Sequence, residues 1–263
     1  PFIVTLATML MGRGLCYVIL QAQTKGPLPD SYTWVSTGFL PTIKVGGVDM
    51  ICIAVAVVIA IFVVLGDLRA QAVAKKNGLP TVHTWQLAVK DIVIIGIGFF
   101  FYKLGCYNGI PIMLILVAIV VAIYHFITTQ TVAGRQIYAM GGNAKAARLS
   151  GINTQKVFFW VYANMGLLCG LAGIVLSARN ASATPKAGDG FEMDAIASCY
   201  IGGAATSGGV GTIVGAVVGA FIMGILNIGM SLAGFDTNVQ KIVKGAVLLG
   251  AVTVDLLSKR KKG

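Results

Sequence analysis

The chain has 263 residues, 57% of them hydrophobic and only 11% charged, with a mean hydropathy of +0.86. A soluble domain carries about 25% charged residues, so this composition excludes a soluble protein and reads as an integral membrane protein. The net charge of +11 does not point to nucleic acid, because the positive residues collect in loops between apolar runs, the pattern of membrane topology.

The 34 glycines, and the lack of alternating ten-residue segments, favour packed helices over a β-barrel. The five cysteines are scattered, mostly inside apolar runs, and His83 and His125 are isolated. Buried thiols therefore describe them better than a disulfide framework or a metal site. The chain opens at Pro1 with no Met and no charged leader, and is read as a fragment lacking its true N-terminus.

In chain order, residues 1–23 form a first span interrupted near Gly12-Arg13-Gly14, where the arginine needs a helix end or a polar cavity. Thr24 to Gly47 is too polar to span. Val48–Gly66 is a second span, and Asp91–Gly105 and Ile110–Ile127 are the third and fourth. A basic segment follows, and then Val157–Ala178, a fifth span with a ridge of Gly166, Gly170 and Gly173. Val210–Leu232 carries Gly211, Gly215 and Gly219 at four-residue spacing, a close-approach face. Val243–Leu257 is the last span, followed by Lys259-Arg260-Lys261-Lys262.

Charge orients this order. That tail, the Arg69–Lys90 loop and the Arg135–Lys156 loop each hold four Lys/Arg, so all three belong on the cytoplasmic side. Loops that also hold acids, among them Asp189, Glu192 and Asp194, belong outside. Parity then demands another crossing, supplied if Asp194 to Ser207 is a short span breaking at Gly202-Gly203. Non-helical backbone at membrane depth must be buried in protein or line a cavity, which makes this break a candidate for the translocation path. The alternative is a re-entrant packing loop. The fold class expected is all-α and polytopic, with about six full spans plus one short broken span in a single domain over residues 1–263.

The most distinctive stretch is Gly134–Ile152, GRQIYAMGGNAKAARLSGI. Asn143 is a natural N-cap, residues 144–150 propagate a short helix, and Gly151 can end it in the left-handed region. Ala144, Ala147 and Ser150 make a smooth small-residue face, with Lys145 and Arg148 on another. Such a helix reads as a knob for a soluble partner, the alternative being an ordinary basic loop.

The search for chemistry is brief. GVGTIVG at Gly209–Gly215 has the wrong spacing for a dinucleotide fingerprint, and no GxxxxGK[ST] occurs, so this chain has no P-loop of its own. No triad or paired-carboxylate arrangement suggests an enzyme. The spans read as lacking an interior Asp or Glu, which counts against an ion-coupled carrier. Asn164, Asn227, Ser231 and Thr253 do lie in spans. They serve as interhelical hydrogen bonds or as contacts for a hydroxyl-rich solute.

The run GRQIYAMGGNAKAARLSGI and the Gly-rich Phe191–Gly234 region resemble permease subunits of ribose/xylose-type ABC importers, as does PFIVTLATMLMGRGL at the start. Ser182-Ala183-Thr184-Pro185 and the Thr24–Gly47 insert are similar to the xylose or multiple-monosaccharide branch. The resemblance implies the ABC importer permease fold, a homodimeric pore with a second permease copy, a cytoplasmic ATP-binding subunit and a periplasmic sugar-binding protein. It implies that Gly141, Gly142, Asn143, Ala146, Ala147, Ser150 and Gly151 dock with the ATPase. Gly202, Gly203, Ser207, Gly208 and Gly209 would form the broken helix by the path, with Asn164 and Asn227 beside it. ATP and magnesium would sit on the partner subunit, with no cofactor on this chain. The expected function is monosaccharide import, of xylose or a related sugar, across the bacterial inner membrane with the C-terminus cytoplasmic. The alternative is an ion-coupled secondary carrier with broken helices.

Overall fold

The computed structural model describes residues 2–41, 44–45, 48–58, 61, 96 and 98–260. Its order is α1 (Phe2–Ile19), α2 (Asp30–Thr37), a two-residue hairpin of β1 (Lys44–Val45) and β2 (Val48–Asp49), and then α3 (Ile112–Gln130). It continues with α4 (Val132–Gly142), α5 (Ala144–Leu149), α6 (Thr154–Asn180), α7 (Phe191–Ile201), α8 (Ile213–Leu232) and α9 (Thr237–Arg260). Residues 50–58 and 98–106 are also helical.

Three of these helices, Ile112–Gln130, Thr154–Asn180 and Ile213–Leu232, are long and apolar enough to cross a membrane. The chain is therefore a polytopic helical membrane protein. Most of the predicted span Asp91–Gly105 and the second half of Val48–Gly66 lie outside the described residues. The fifth span is longer than predicted, because Asn153 caps three residues earlier by accepting from the Lys156 amide at 3.1 Å. Ala181 ends it in the left-handed region at φ 48°.

The chain divides into two compact units, Asp30–Ile115 and a second made of Pro1–Pro29 with Leu116–Gly263. The smaller unit closes around Cys52, Phe101 and Ile110, with Leu40, Val55 and Leu104 packed against them. The larger unit holds every sequence-predicted site residue. In it, α7 packs against both α8 and α9, and α4 against α5 and α6.

The α7–α8 contact has a plain cause. Cβ atoms built on Gly215 and Gly219 would overlap the carbonyls of Gly202 and Ser198, so only glycine lets α8 lie this close. At 11 residues, α7 is about 16 Å long, roughly half the hydrocarbon thickness.

Candidate functional site: the coupling end of the larger unit

The sequence reading left Gly134–Gly142 as a Gly-punctuated stretch, but these residues are helical. Thr131 accepts from the Gly134 amide at 3.3 Å and starts α4. Tyr138 holds the helix in place by donating its hydroxyl proton to the Gly211 carbonyl at 2.7 Å.

Asn143 is the hinge between two helices. Its amide donates to the Ala139 carbonyl at 3.0 Å and closes α4. Its side-chain oxygen accepts from the Lys145 and Ala146 amides at 3.1 and 3.0 Å and opens α5. One side chain thus satisfies two otherwise orphaned donors. Ser150 bonds back to the Ala146 carbonyl through Oγ at 3.0 Å. Gly151 reverses the chain at φ +86°, as expected, and Ile152 then donates to the Ala147 carbonyl at 3.1 Å.

The faces of α5 differ from the small-residue surface expected. Ala147 is buried against its own chain at 5% exposure, so it does not form the outer surface. Ala144, Lys145, Ala146 and Arg148 are exposed, and Leu149 stands out at 90%. Leu149 was missed in the sequence, although it is the one large apolar residue of α5 and so an available anchor.

The two candidate sets meet in one place. A Cβ on Gly208 would lie 2.6 Å from the Gly141 carbonyl oxygen, and one on Gly209 would lie 2.7 Å from the Gly142 backbone. Both glycines also have positive φ, +82° and +73°, so the close approach and the turn each require them. Gly202 caps α7 with a negative φ of −73°, and Gly203 follows in the left-handed region at φ +87°.

The break is a connector at the start of α8, beside the Gly134–Ile152 segment. Thr206 donates to Asp255 Oδ2 through its amide at 3.2 Å and its hydroxyl at 3.0 Å, which brings the C-terminal part of α9 to the same end. Ser207 is exposed in this connector.

Asn164 and Asn227 lie elsewhere. The Asn164 side chain accepts from the Tyr124 hydroxyl at 3.0 Å and ties α6 to α3. Asn227 Nδ2 donates to Asp194 Oδ2 at 3.1 Å, and Lys244 Nζ donates to the same oxygen at 2.8 Å. This cluster joins α7, α8 and α9, and it corrects one sequence expectation: Asp194 lies in helix α7 and not in a polar loop, while the three helices long enough to cross a membrane hold no Asp or Glu. The Asp194 carboxylate is neutralised by Lys244, the one charge in the early part of the last apolar run and the signal that could have revealed it. Among the described residues, Asp194 Oδ1 and Asn227 Oδ1 are buried with no partner.

Far from the coupling end, Arg13 donates to Asp189 Oδ1, and Lys241 lies 3.8 Å from its other oxygen. The Arg13 hydrogen bond, then its charge, holds the Asp189 carboxyl below the ordinary aspartate range. This explains how Arg13 is tolerated in an apolar helix: its guanidinium reaches an acid in the 181–190 loop.

Membrane-crossing helices with a short capped helix between two of them define a polytopic membrane protein with an exposed connecting helix. The family described as branched-chain amino acid transport system / permease component matches residues 1–252, and the chain belongs to it.

The chain is 39% identical over 267 residues to the xylose transport system permease protein XylH of Escherichia coli K12, covering 99% of this chain and 65% of that protein. It is 42% identical over 197 residues to the ribose import permease protein RbsC of the same organism, covering 75% and 59%. With Bacillus subtilis RbsC the figures are 43% over 158 residues, 60% and 49%. The chain thus spans just under two thirds of the length of the first of these relatives. No solved structure matches it.

Proposed function

We propose that this chain is the membrane-spanning part of an ATP-driven importer of monosaccharides, xylose or a related sugar, in a bacterial inner membrane. A cytoplasmic ATP-binding subunit docks on α5 and holds ATP and magnesium. A periplasmic binding protein delivers the sugar, and a second permease copy completes the pore. The C-terminus is cytoplasmic, on the side of the Arg135–Lys156 segment.

The observation that carries this reading is the backbone contact of Gly141–Gly142 with Gly208–Gly209. A rigid-body push on α5 reaches α4 through Asn143, then passes through this contact and the Tyr138–Gly211 hydrogen bond into the connector between α7 and α8. Motion at the ATPase surface is thereby linked to the helices that carry the Asp194–Asn227–Lys244 cluster. The relatives named for xylose and ribose transport support the substrate class.

The test uses Leu149→Glu in the assembled, reconstituted transporter. This exposed change leaves the chain folded. It is expected to abolish co-purification of the ATP-binding subunit and to lower ATP-dependent xylose uptake at least tenfold. Uptake that persists without ATP and collapses with the ion gradient would instead establish a secondary carrier.

A further inference from the structure

A groove of about 470 Å³ runs along the first third of α6, between α4 and the end of α3. Gln136, Asn153 and Lys156 line one end, and Val157, Trp160 and Val161 line the stretch beyond. From Asn153 to Asn164 the groove follows the helix for about 16 Å, passing from polar to apolar. A second cavity of about 290 Å³ adjoins it at Gly151 and Asn153 and is lined by Arg148.

The level of this groove follows from helix length. With 27 residues, α6 is about 40 Å long and exceeds the hydrocarbon core of about 30 Å. The excess of about 10 Å is enough for Lys156, in its first turn, to reach the headgroups, with Trp160 one turn further along the helix.

The charge around it is one-sided. Arg135, Lys145, Arg148 and Lys156 are all cations, and no Asp or Glu occurs from residue 92 to 188. The ion pairs among the described residues use Arg13, Lys241 and Lys244, and none of these four. The N-terminal end of α6 adds positive potential at the polar end.

We propose that this groove binds an anionic phospholipid, with its phosphate held between Lys156 and Arg148 and one acyl chain laid along Val157, Trp160 and Val161. An acidic protein segment would satisfy the cations but leave the apolar half uncovered, whereas a phospholipid, with a charged head and apolar tails, matches both halves. Basic pockets between membrane helices recognise headgroups in this way.

The assembled transporter, in bilayer discs, would be photolabelled with phosphatidylglycerol or phosphatidylcholine carrying a diazirine in the acyl chain, and the adducts mapped by peptide mass. Phosphatidylglycerol should label residues 157–161 about fivefold more than phosphatidylcholine, the effect of one basic side chain near the surface. Lys156→Gln, an exposed change, should remove that preference while leaving phosphatidylcholine labelling intact. Val161→Trp should fill the groove and remove both labels there. Equal labelling by the two lipids, or a preference surviving both substitutions, would overturn the proposal. Competition by millimolar inorganic phosphate would overturn it in favour of a free-anion site. Labelling seen in the chain alone but lost on assembly with the ATP-binding subunit would make the groove that subunit's seat.

Discussion

Two helices of this chain carry glycines at the spacing of a packing ridge, and they meet different fates. On α8, Gly215 and Gly219 are pressed against the backbone of α7 so closely that a methyl group would collide with a carbonyl. On α6, Cβ atoms built on Gly166, Gly170 and Gly173 meet nothing within 4 Å. A small-residue spacing states that a helix can be approached closely; it does not state by what. The α8 ridge is used inside the chain, to set α7 and the connector in place. The α6 ridge is left open by this chain, and association between membrane helices depends on close packing of such residues.

The largest expected effect tests this contrast directly. Gly219→Leu forces a side chain into the Ser198 backbone and should cost about 3 kcal/mol of thermal stability in detergent, the upper range of overpacking. Gly170→Ala should be neutral or stabilising by up to about 1 kcal/mol, because alanine is the better helix former and the space is free. Equal losses at the two sites would show that the α6 ridge is also packed in the working protein. Dissociation of copies by Gly170→Leu, with the monomer's own stability unchanged, would identify the occupant as the second permease.

A smaller effect is expected at the cluster that holds the tight side together. Removing one partner of a buried ion pair costs about 3–5 kcal/mol. Here Asp194 and Lys244 keep 18% and 21% of their side-chain surface exposed, so solvent screens the loss. Lys244→Met should therefore cost about 2 kcal/mol, and Asp194→Leu with Lys244→Met should recover most of it, as measured by thermal unfolding. A double variant no more stable than the worse single one would mean that Asn227 depends on the pair for its own position.

What was legible in the sequence depended on how far apart the interacting groups lie along the chain. Asn143 and Gly151 start and stop α5 through bonds that close within four residues, so residue type alone identified them. The close-approach face of α8 was legible because one helix carries the whole pattern. The Asp194–Lys244 pair joins groups 50 positions apart, and the acid alone looked like part of a polar loop. Helix α4 was obscured by its glycines, each costing about 1 kcal/mol in a helix interior. The hydrogen bond from Tyr138 to Gly211, 73 residues away, helps to offset that penalty. The meeting of Gly141–Gly142 with Gly208–Gly209 was invisible for the same reason, since each pair is an ordinary turn signal until the fold brings them together.

The smallest expected effect concerns the exposed counterpart of the Asp194 cluster. Asp189, 49% exposed, accepts from Arg13 and faces Lys241, and its carboxyl is held below the ordinary aspartate range chiefly by the Arg13 hydrogen bond. A depressed acid binds its proton less readily in the folded chain than in the unfolded one. Its stabilisation is therefore fully present above the ordinary aspartate pKa of about 4 and is lost as pH falls through the lower folded value. Thermal stability of the native chain should decline across that acid window, and Asp189→Asn should flatten part of the decline while changing little at pH 7, as expected for a screened surface pair. An acid limb unchanged in Asp189→Asn would show that the pair carries none of this pH dependence and serves only to place Arg13.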